Sequence, residues 1–380
     1  MLWCAVAVLP FFLTPAGMGA ETKKPKKTEL TDDGTFSDPK VLQIKVEIPP
    51  ASLQALTANP KEYAKGTIRE GDKPYASVGI RCKGGDAPAG AKPGFTVKLN
   101  EFITDQAFHG QRKITLDACR ADPTYLTELL ANDLFRLSGV PAPRGAFARV
   151  EFNGKDLGLY LLNEGVNRDF LSRHFDKTKG NFYEGSRQDI TTKLDKDSGD
   201  EGITQSEVAA LVEAARELDA AKRWQKLEQL LDLDGFLTFM AYEVITWHTN
   251  GYCLATNKYR LYHDPAADQM VFIPHGIEAT FSRTDGPLVP EMRGLVAKAV
   301  ISTPQGKSKY LERMSKLLAT SFKPDQLQAR ITDLAARIRP HVGQGDSAAG
   351  PAFDQAVAQL KDRIKQRAVF LDQQLKQAGH

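Results

Sequence analysis

The sequence predicts an α+β fold in two parts, a strand-rich first part followed by a mainly helical second part. Apolar and polar residues alternate with period two in the first half, most clearly in the segments 41–49 and 146–165. After about residue 190, apolar residues recur at helical spacing instead, and residues 353–375 carry one apolar stripe. We therefore predict a globular domain at 39–375, with a first lobe at about 39–185 and a second lobe at about 186–375.

Three strands, a helix and a hairpin are predicted in the first lobe. The strands are 41–49, 75–84 and 94–102, and the last two flank a glycine-rich loop. Asp122 suits the N-cap of a helix, and Gly139 suits its end. One face of this helix is apolar and carries Leu126, Leu129, Leu130, Leu134 and Leu137. The dipeptide Asn153-Gly154, which tolerates the positive φ of a tight turn, joins the two strands of the hairpin.

The second lobe is predicted to be helical with one strand pair near its middle. Helical patterns cover 206–220, 224–232 and 233–248, and strands are predicted at 258–264 and 269–274. A cleft between two such lobes is a natural ligand site.

Composition limits the class of partner. The chain has 380 residues, of which 42% are hydrophobic and 26% charged, enough for two lobes around one cleft. Lys and Arg number 50 against 47 Asp and Glu, a formal net charge of +3. So balanced a charge gives no electrostatic support for a nucleic-acid partner, and we expect none.

The first twenty residues resemble a secretory signal peptide with cleavage after Ala20, although the usual basic start is missing. The alternatives are a membrane anchor, which Pro10 and Pro15 interrupt, and a lipoprotein modified at Cys4, after which the apolar run continues. We expect an exported protein (periplasmic, cell-surface or secreted) with no integral membrane span after signal removal. A disordered leader at 21–38 would follow.

The remaining cysteines are Cys82, Cys119 and Cys253. They lack metal-binding spacing, so no zinc site is expected. One disulfide among them is conceivable, but the sequence does not choose the pair.

Three residues of the first lobe suit phosphoryl transfer, which needs a lysine for the phosphates and a carboxylate to position it. Lys98 lies mid-strand, on the face opposite to Val97 and Leu99. Glu128, on the helix that follows, would pair with it, and Glu164 at the end of the hairpin would face the same cleft. The alternative for each is an ordinary solvated side chain.

Residues 247–281 form a second cluster. A loop offers Asn250 and Asn257, and the strand pair returns the chain to Glu278. Amide and carboxylate oxygens suit Mg²⁺ or Ca²⁺, but the same residues are common in loops without a metal. The order of the two lobes is that of protein kinases, although no GxGxxG, HRD or DFG signature is present.

Residues 247–281, which contain "HTNGY" and "VFIPHGIEATF", resemble the CotH-type (spore coat protein H) kinase family, in its HGxD-motif branch. So do "VGIRCKGG" and the stretch 121–170. The resemblance spans roughly 40–375. It implies a protein kinase with a kinase-like fold of two lobes, which uses ATP and Mg or Mn to phosphorylate Ser on extracytoplasmic proteins. Some relatives are adhesins or coat components.

The resemblance also implies residue roles. Lys83 and Lys98 would bind the nucleotide, Asn257 and Glu278 the metal, and Asn250 would orient the acceptor. Glu128 or Glu164 would orient the lysine.

Three departures from the family pattern bear on catalysis. Asn250 replaces an Asp, and an amide cannot take a proton as a carboxylate can. Glu278 replaces a metal-binding Asp with a longer side chain, and Lys258 replaces an Asn. The sequence thus supports two hypotheses, a kinase with weakened activity and a pseudokinase that binds a surface-layer partner. A carbohydrate-binding or hydrolytic envelope protein is a third, but no paired-carboxylate site supports it.

Overall fold

The computed structural model describes residues 34–36, 40–85, 92–199, 204–343 and 348–379. The predicted signal peptide and most of the predicted leader lie outside these ranges, as does the middle of the glycine-rich loop. Within them, every helix is too short or too polar to cross a bilayer.

Seven strands of the first lobe form a closed barrel in the order β1-β2-β3-β4-β5-β7-β6. They are β1 Val41–Glu47, β2 Ala64–Glu70, β3 Lys73–Cys82, β4 Phe95–Lys98, β5 Lys113–Asp117, β6 Gly145–Phe152 and β7 Lys155–Glu164. All neighbours are antiparallel except β1 and β6, whose parallel pairing closes the barrel. Closure removes the exposed sheet edges. The barrel encloses a separate apolar core that includes Ile80, Val97 and Ile114.

The predicted hairpin is confirmed. Asn153 has a φ of 47° and Gly154 a φ of 82°, and they join β6 to β7 as the turn prediction requires. Strand β4 is shorter than predicted, but its side chains alternate between the two faces of the sheet as predicted. Phe95 and Val97 are buried in the barrel, so Thr96 and Lys98 face outward.

Two helices accompany the barrel, α1 Pro50–Ala58, which the sequence analysis missed, and α2 Thr127–Leu137. The predicted start of α2 near Asp122 was wrong, because Tyr125 takes a positive φ of 60° and breaks the first turn. The Asp122 carboxylate still accepts the Thr127 backbone N–H at 2.9 Å. The predicted end was correct, since Gly139 has a φ of 86°. Leu137, expected to be buried, is 75% exposed.

The second lobe opens with α3 Arg168–His174 and contains a four-stranded sheet in the order β11-β10-β8-β9. Its strands are β8 Phe182–Gly185, β9 Asp195–Ser198, β10 Tyr259–Asp264 and β11 Gln269–Pro274. The predicted pair at 258–264 and 269–274 is confirmed as β10 and β11. Strand β8, which the predicted division at 185 assigns to the first lobe, pairs with β10 of the second lobe.

Helices form the rest of this lobe. They are α4 Ser206–Arg216, α5 Ala220–Leu230, α6 Leu233–Ile245, α7 Tyr252–Ala255, α8 Leu295–Ile301, α9 Pro304–Thr320, α10 Pro324–Ile338 and α11 Ala349–Gln377. The apolar stripe of the last helix is buried as predicted, from Phe353 through Leu360 to Leu375. One large core joins α2 of the first lobe to these helices, which fixes α2 against the second lobe.

Candidate functional site

A cavity of about 1020 Å³ lies where the outer face of β3–β5 meets the loops of the second lobe. Five predicted site residues line it together: Lys83, Glu128, Asn250, Asn257 and Glu278. Its charged lining comprises eight cations and five carboxylates: Lys61, Arg81, Lys83, Lys113, Arg120, Arg187, Lys258 and Arg260 against Asp117, Asp122, Glu128, Glu184 and Glu278. We call this cavity the cleft. Its excess of cations suits an anionic ligand.

Lys83 is the central cation of the cleft. It follows β3 in a short turn that Gly84 permits with a φ of 81°. Its ammonium forms an ion pair with Asp117 on β5. Its charge also lowers the pKa of both Glu128 and Glu278 relative to what burial alone would give. Lys83 therefore contacts one carboxylate, Asp117, and acts through its charge on two others, which come from both lobes.

Glu128 projects from α2 into the cleft. Its Oε1 accepts a hydrogen bond from Asn163 Nδ2 at 3.1 Å, while its buried Oε2 has no hydrogen-bond partner among the described residues. Burial raises the pKa of the Glu128 carboxyl, the Glu278 charge raises it further, and Lys83 only partly opposes this. Glu128 thus holds a proton more readily than an ordinary glutamate does.

Glu278 follows β11 and has the opposite electrostatic character. Its Oε2 is also buried and without a hydrogen-bond partner in the described part of the chain. Burial opposes its ionisation, but Lys83, Lys258 and His248 together hold the pKa of Glu278 below its usual value. Two neighbouring carboxyls with pKa values shifted apart are typical of functional sites.

The segment before Glu278 is held by His248, whose Nε2–H donates to the Gly276 carbonyl at 3.0 Å. Glu243 of α6 in turn accepts the backbone N–H groups of Tyr252 at 2.9 Å and Cys253 at 2.6 Å. A Cβ on Gly251 would lie 2.4 Å from Glu243 Oε1, so this loop requires glycine there. Glu243 could not be singled out from the sequence, because nothing in the helical pattern around it distinguishes a buried carboxylate from an exposed one.

Asn250 and Asn257 flank the short helix α7. Asn250 is exposed at the cleft. Asn257 Oδ1 accepts the Arg187 backbone N–H at 2.7 Å, which fixes its amide against the loop after β8. Lys258 has a φ of 50° and runs beside Gly276, toward Glu278.

Glu278 and Asn257 carry the kinds of oxygen that Mg²⁺ prefers as ligands. The described residues contain no group of three or more His, Cys, Asp or Glu side chains arranged for a metal. Mg²⁺, however, is commonly held by one or two carboxylates plus the phosphates of a substrate. The buried, unpartnered Oε2 of Glu278 is an oxygen of that kind, and the Asn257 amide lines the same cavity.

Lys98 does not line the cleft. It lies one pleat further along the outer face of β4 than Thr96, in an adjoining cavity, and its ammonium is 2.6 Å from Glu101. The expected Lys98–Glu128 pair is therefore not the one that forms. Alternation predicted the correct face of β4, but the position along the strand decides which cavity a side chain enters.

Glu164 is also separated from the other predicted residues. Its carboxylate is buried and forms ion pairs with Arg144, at 3.3 Å, and with Arg173. Glu164 is the last residue of β7, and it is not among the residues that line the cleft. These contacts indicate a role in holding β7 to α3.

Lys113 is a residue that the sequence analysis missed. It pairs with Lys98 across β4 and β5 and lines both the cleft and the adjoining cavity. Burial lowers the pKa of its ammonium. The segment "RKITLD" offers no pattern that singles it out, because its location depends on the pairing of β4 with β5.

The fold and the site define a two-lobed α+β protein with a charged cleft that unites a central lysine with buried carboxylates. The chain belongs to the CotH kinase protein family, whose model matches residues 80–371. The inner spore coat protein H of Bacillus subtilis is 24% identical over 263 residues, covering 63% of this chain and 72% of that protein. The inner spore coat protein H-like protein of the same organism is 24% identical over 234 residues, covering 61% and 70%.

Two solved structures are similar to the chain at a low level. The proinflammatory kinase CtkA of Helicobacter pylori matches with a TM-score of 0.34 and 7% identity, over 72% of this chain and 94% of that one. HipA of Shewanella oneidensis, solved with HipB and operator DNA, matches with a TM-score of 0.33 and 10% identity, over 70% and 60%.

Proposed function

We propose that this protein binds ATP with Mg²⁺ or Mn²⁺ in the cleft and transfers phosphate to serine on extracytoplasmic proteins, at a reduced rate. The observation that carries the proposal is a pair of buried oxygens, Glu128 Oε2 and Glu278 Oε2, which have no hydrogen-bond partner among the described residues and belong to carboxylates whose pKa values the Lys83 charge lowers. A buried carboxylate oxygen needs a donor or a cation to offset its desolvation, and both of these residues line the cleft, where a bound cation would supply it. Membership in the CotH kinase protein family supports phosphoryl transfer as the use of that ligand.

Each residue of the cleft has a proposed role. Lys83 binds phosphate oxygens, and Glu128 orients Lys83. Nucleotide binding was predicted for both Lys83 and Lys98, and we now assign it to Lys83 alone. Glu278 and Asn257 hold the metal, which would neutralise charge on the phosphates. Asn250 positions the serine hydroxyl.

The reduced rate follows from Asn250. Its amide can hydrogen-bond the acceptor hydroxyl but cannot accept its proton. Loss of a catalytic base commonly costs about 10²–10⁴ in rate. The longer side chain of Glu278 adds to this, because Mg²⁺ demands close to octahedral geometry.

A non-catalytic pseudokinase is the second candidate, and Lys258 favours it. Its ammonium lowers the pKa of Glu278 and so places a resident cation near the proposed metal position. In this case the protein would bind or scaffold a partner in an envelope or surface layer, in keeping with the spore-coat names of its relatives. Export is part of both proposals and rests on the first twenty residues.

The test compares matched lysine variants of the protein lacking residues 1–20. Labelled ATP, Mg²⁺ or Mn²⁺ and a serine-rich acceptor are combined with the wild type, Lys83→Met and Lys98→Met. We expect nucleotide to raise the melting temperature of the wild type and of Lys98→Met but not of Lys83→Met, because ligand that binds the folded state stabilises it. If both variants lose the nucleotide-dependent rise in melting temperature equally, the assignment of Lys83 is contradicted.

Two further variants separate the two candidate functions. Asn250→Asp is expected to raise the transfer rate by about 10² or more, since it restores a carboxylate. Glu278→Asp tests the metal position in the same assay. If none of these proteins shows phosphate transfer or a nucleotide-dependent thermal shift, the pseudokinase is the function that remains.

A further inference from the structure

A second cavity, of about 510 Å³, adjoins the cleft and shares Arg81 and Lys113 with it. We call it the basic cavity. Its charged lining contains six cations and one carboxylate: Arg81, Lys98, Arg112, Lys113, Arg168 and Lys179 against Asp197. The whole chain carries 50 basic and 47 acidic residues, so this excess of positive charge is local and not a consequence of composition.

Three of the six cations form no ion pair with the residues that the structure describes. Lys98 pairs with Glu101 at 2.6 Å, and Arg112 pairs with Asp169. Within the described ranges, no carboxylate forms an ion pair with Lys113, Arg168 or Lys179. Arg168 instead donates to Thr178 Oγ1 at 3.1 Å. Like charges gathered without counterions are costly, so the arrangement favours an anionic ligand.

The cavity is also built to hold its cations in place. The Tyr63 ring lies 4.9 Å from the Arg81 guanidinium and 5.7 Å from the Lys98 ammonium. Such contacts restrain flexible side chains. Lys98 and Lys113 are opposite each other on β4 and β5, so the strand register fixes their separation.

We propose that the basic cavity binds an acidic segment of the protein acceptor, next to the serine that enters the cleft. This inference rests on the proposed function, because it names the class of acceptor. Lys98, Arg168 and Lys179 line the basic cavity but not the cleft, whereas the cleft has its own cations, Lys83 and Lys258. The two sets therefore suit two anionic partners at once, a nucleotide and an acidic stretch of chain.

The test measures peptide binding separately from phosphate transfer. Two labelled peptides are used, one with a serine flanked by glutamates and one with glutamine at the same positions. Binding to the protein lacking residues 1–20 is followed by fluorescence anisotropy without nucleotide. The double variant Arg168→Glu with Lys179→Glu is compared with Lys309→Glu with Lys316→Glu. All four residues are exposed, and the control pair lies on α9 with the same change of charge.

We expect the wild type and the α9 control to bind the glutamate peptide about tenfold more tightly than the glutamine peptide at low salt. The preference should disappear in the Arg168 and Lys179 variant and weaken at high salt. Equal binding of both peptides to the wild type would overturn the proposal. So would a preference that survives in the Arg168 and Lys179 variant.

A parallel transfer assay distinguishes this inference from the proposed function. Selective binding of the glutamate peptide without phosphate transfer would support the basic cavity and count against catalysis. Transfer at equal rates to both peptides would support catalysis and refute the role of the basic cavity.

Discussion

Arg367 of α11 offers a stringent test of how the second lobe holds the loop of Asn250. It is 2% exposed, and its guanidinium donates to the carbonyls of Val244 at 2.8 Å, Ile245 at 3.1 Å and Thr284 at 3.3 Å, and also to that of Gly286. The first two carbonyls end α6, directly before the loop. Burial lowers the pKa of Arg367 to about 10, so the guanidinium remains charged at neutral pH.

The change Arg367→Met keeps most of the side-chain volume and removes all of these donors. A hydrogen bond to a charged group contributes about 1.5–3 kcal/mol, but desolvation of the guanidinium offsets part of the sum. Leaving buried carbonyls unpaired costs about 1–3 kcal/mol each where water cannot reach them. We therefore expect the free energy of unfolding to fall by about 3–5 kcal/mol, as when one partner of a buried charged contact is removed.

Urea denaturation followed by tryptophan fluorescence measures this loss, because Trp247 lies against Arg367, 5.3 Å from ring centre to guanidinium. Lys365→Met on the same helix is the matched control, since Lys365 is exposed. Arg367→Lys keeps the charge but not the fork of donors and should fall between the two. An Arg367→Met protein as stable as Lys365→Met would refute the reasoning that these contacts hold the end of α6.

Three further predictions concern the site and its surroundings. Burial lowers the pKa of His275 to about 4, so its imidazole is neutral in the folded protein. As the pH falls from 7 to 4 the unfolded chain takes up the proton first, so stability should fall by about 3 kcal/mol; urea titrations at both pH values should show a smaller fall in His275→Gln. Gly251→Ala should lower stability by about 1–3 kcal/mol, because its Cβ would lie 2.4 Å from Glu243 Oε1, and an unchanged melting curve would contradict that contact. Glu164→Gln should cost about 3–5 kcal/mol, because it removes a buried negative charge that contacts both Arg144 and Arg173; a stable variant that loses only transfer activity would instead restore the catalytic role predicted from the sequence.

The sequence predicted local features of the fold well, because the responsible interactions lie between near neighbours. Asn153-Gly154 specifies its own turn through backbone sterics, and Gly139 ends α2 for the same reason. The start of α2 could not be read in this way. Asp122 accepts the Thr127 N–H across an intervening turn, so a good capping residue lies four residues before the position where a simple cap would be.

Part of the lining of the cleft was predicted from the sequence. Lys83, Glu128, Asn250, Asn257 and Glu278 all line it, whereas their functional roles stay predictions. Lys98 and Lys113 show the limit, because both lie on outward faces that alternation predicts correctly. Which of them reaches the cleft depends on the register of β4 with β5 and on the loops that the second lobe places opposite.

The sequence by itself determined the period of the strands and helices that it predicted, the Asn153-Gly154 turn, and the chemical identity of the residues at the family's motif positions, including the amide of Asn250. Tertiary structure decided which charges meet. The parallel pairing of β1 with β6 closes the barrel across a hundred residues, and ion pairs take Glu164 and Lys98 away from the cleft while leaving Lys83 within it. The physical reason is that backbone periodicity arises between neighbours, whereas burial and ion pairing depend on contacts between residues far apart in the chain.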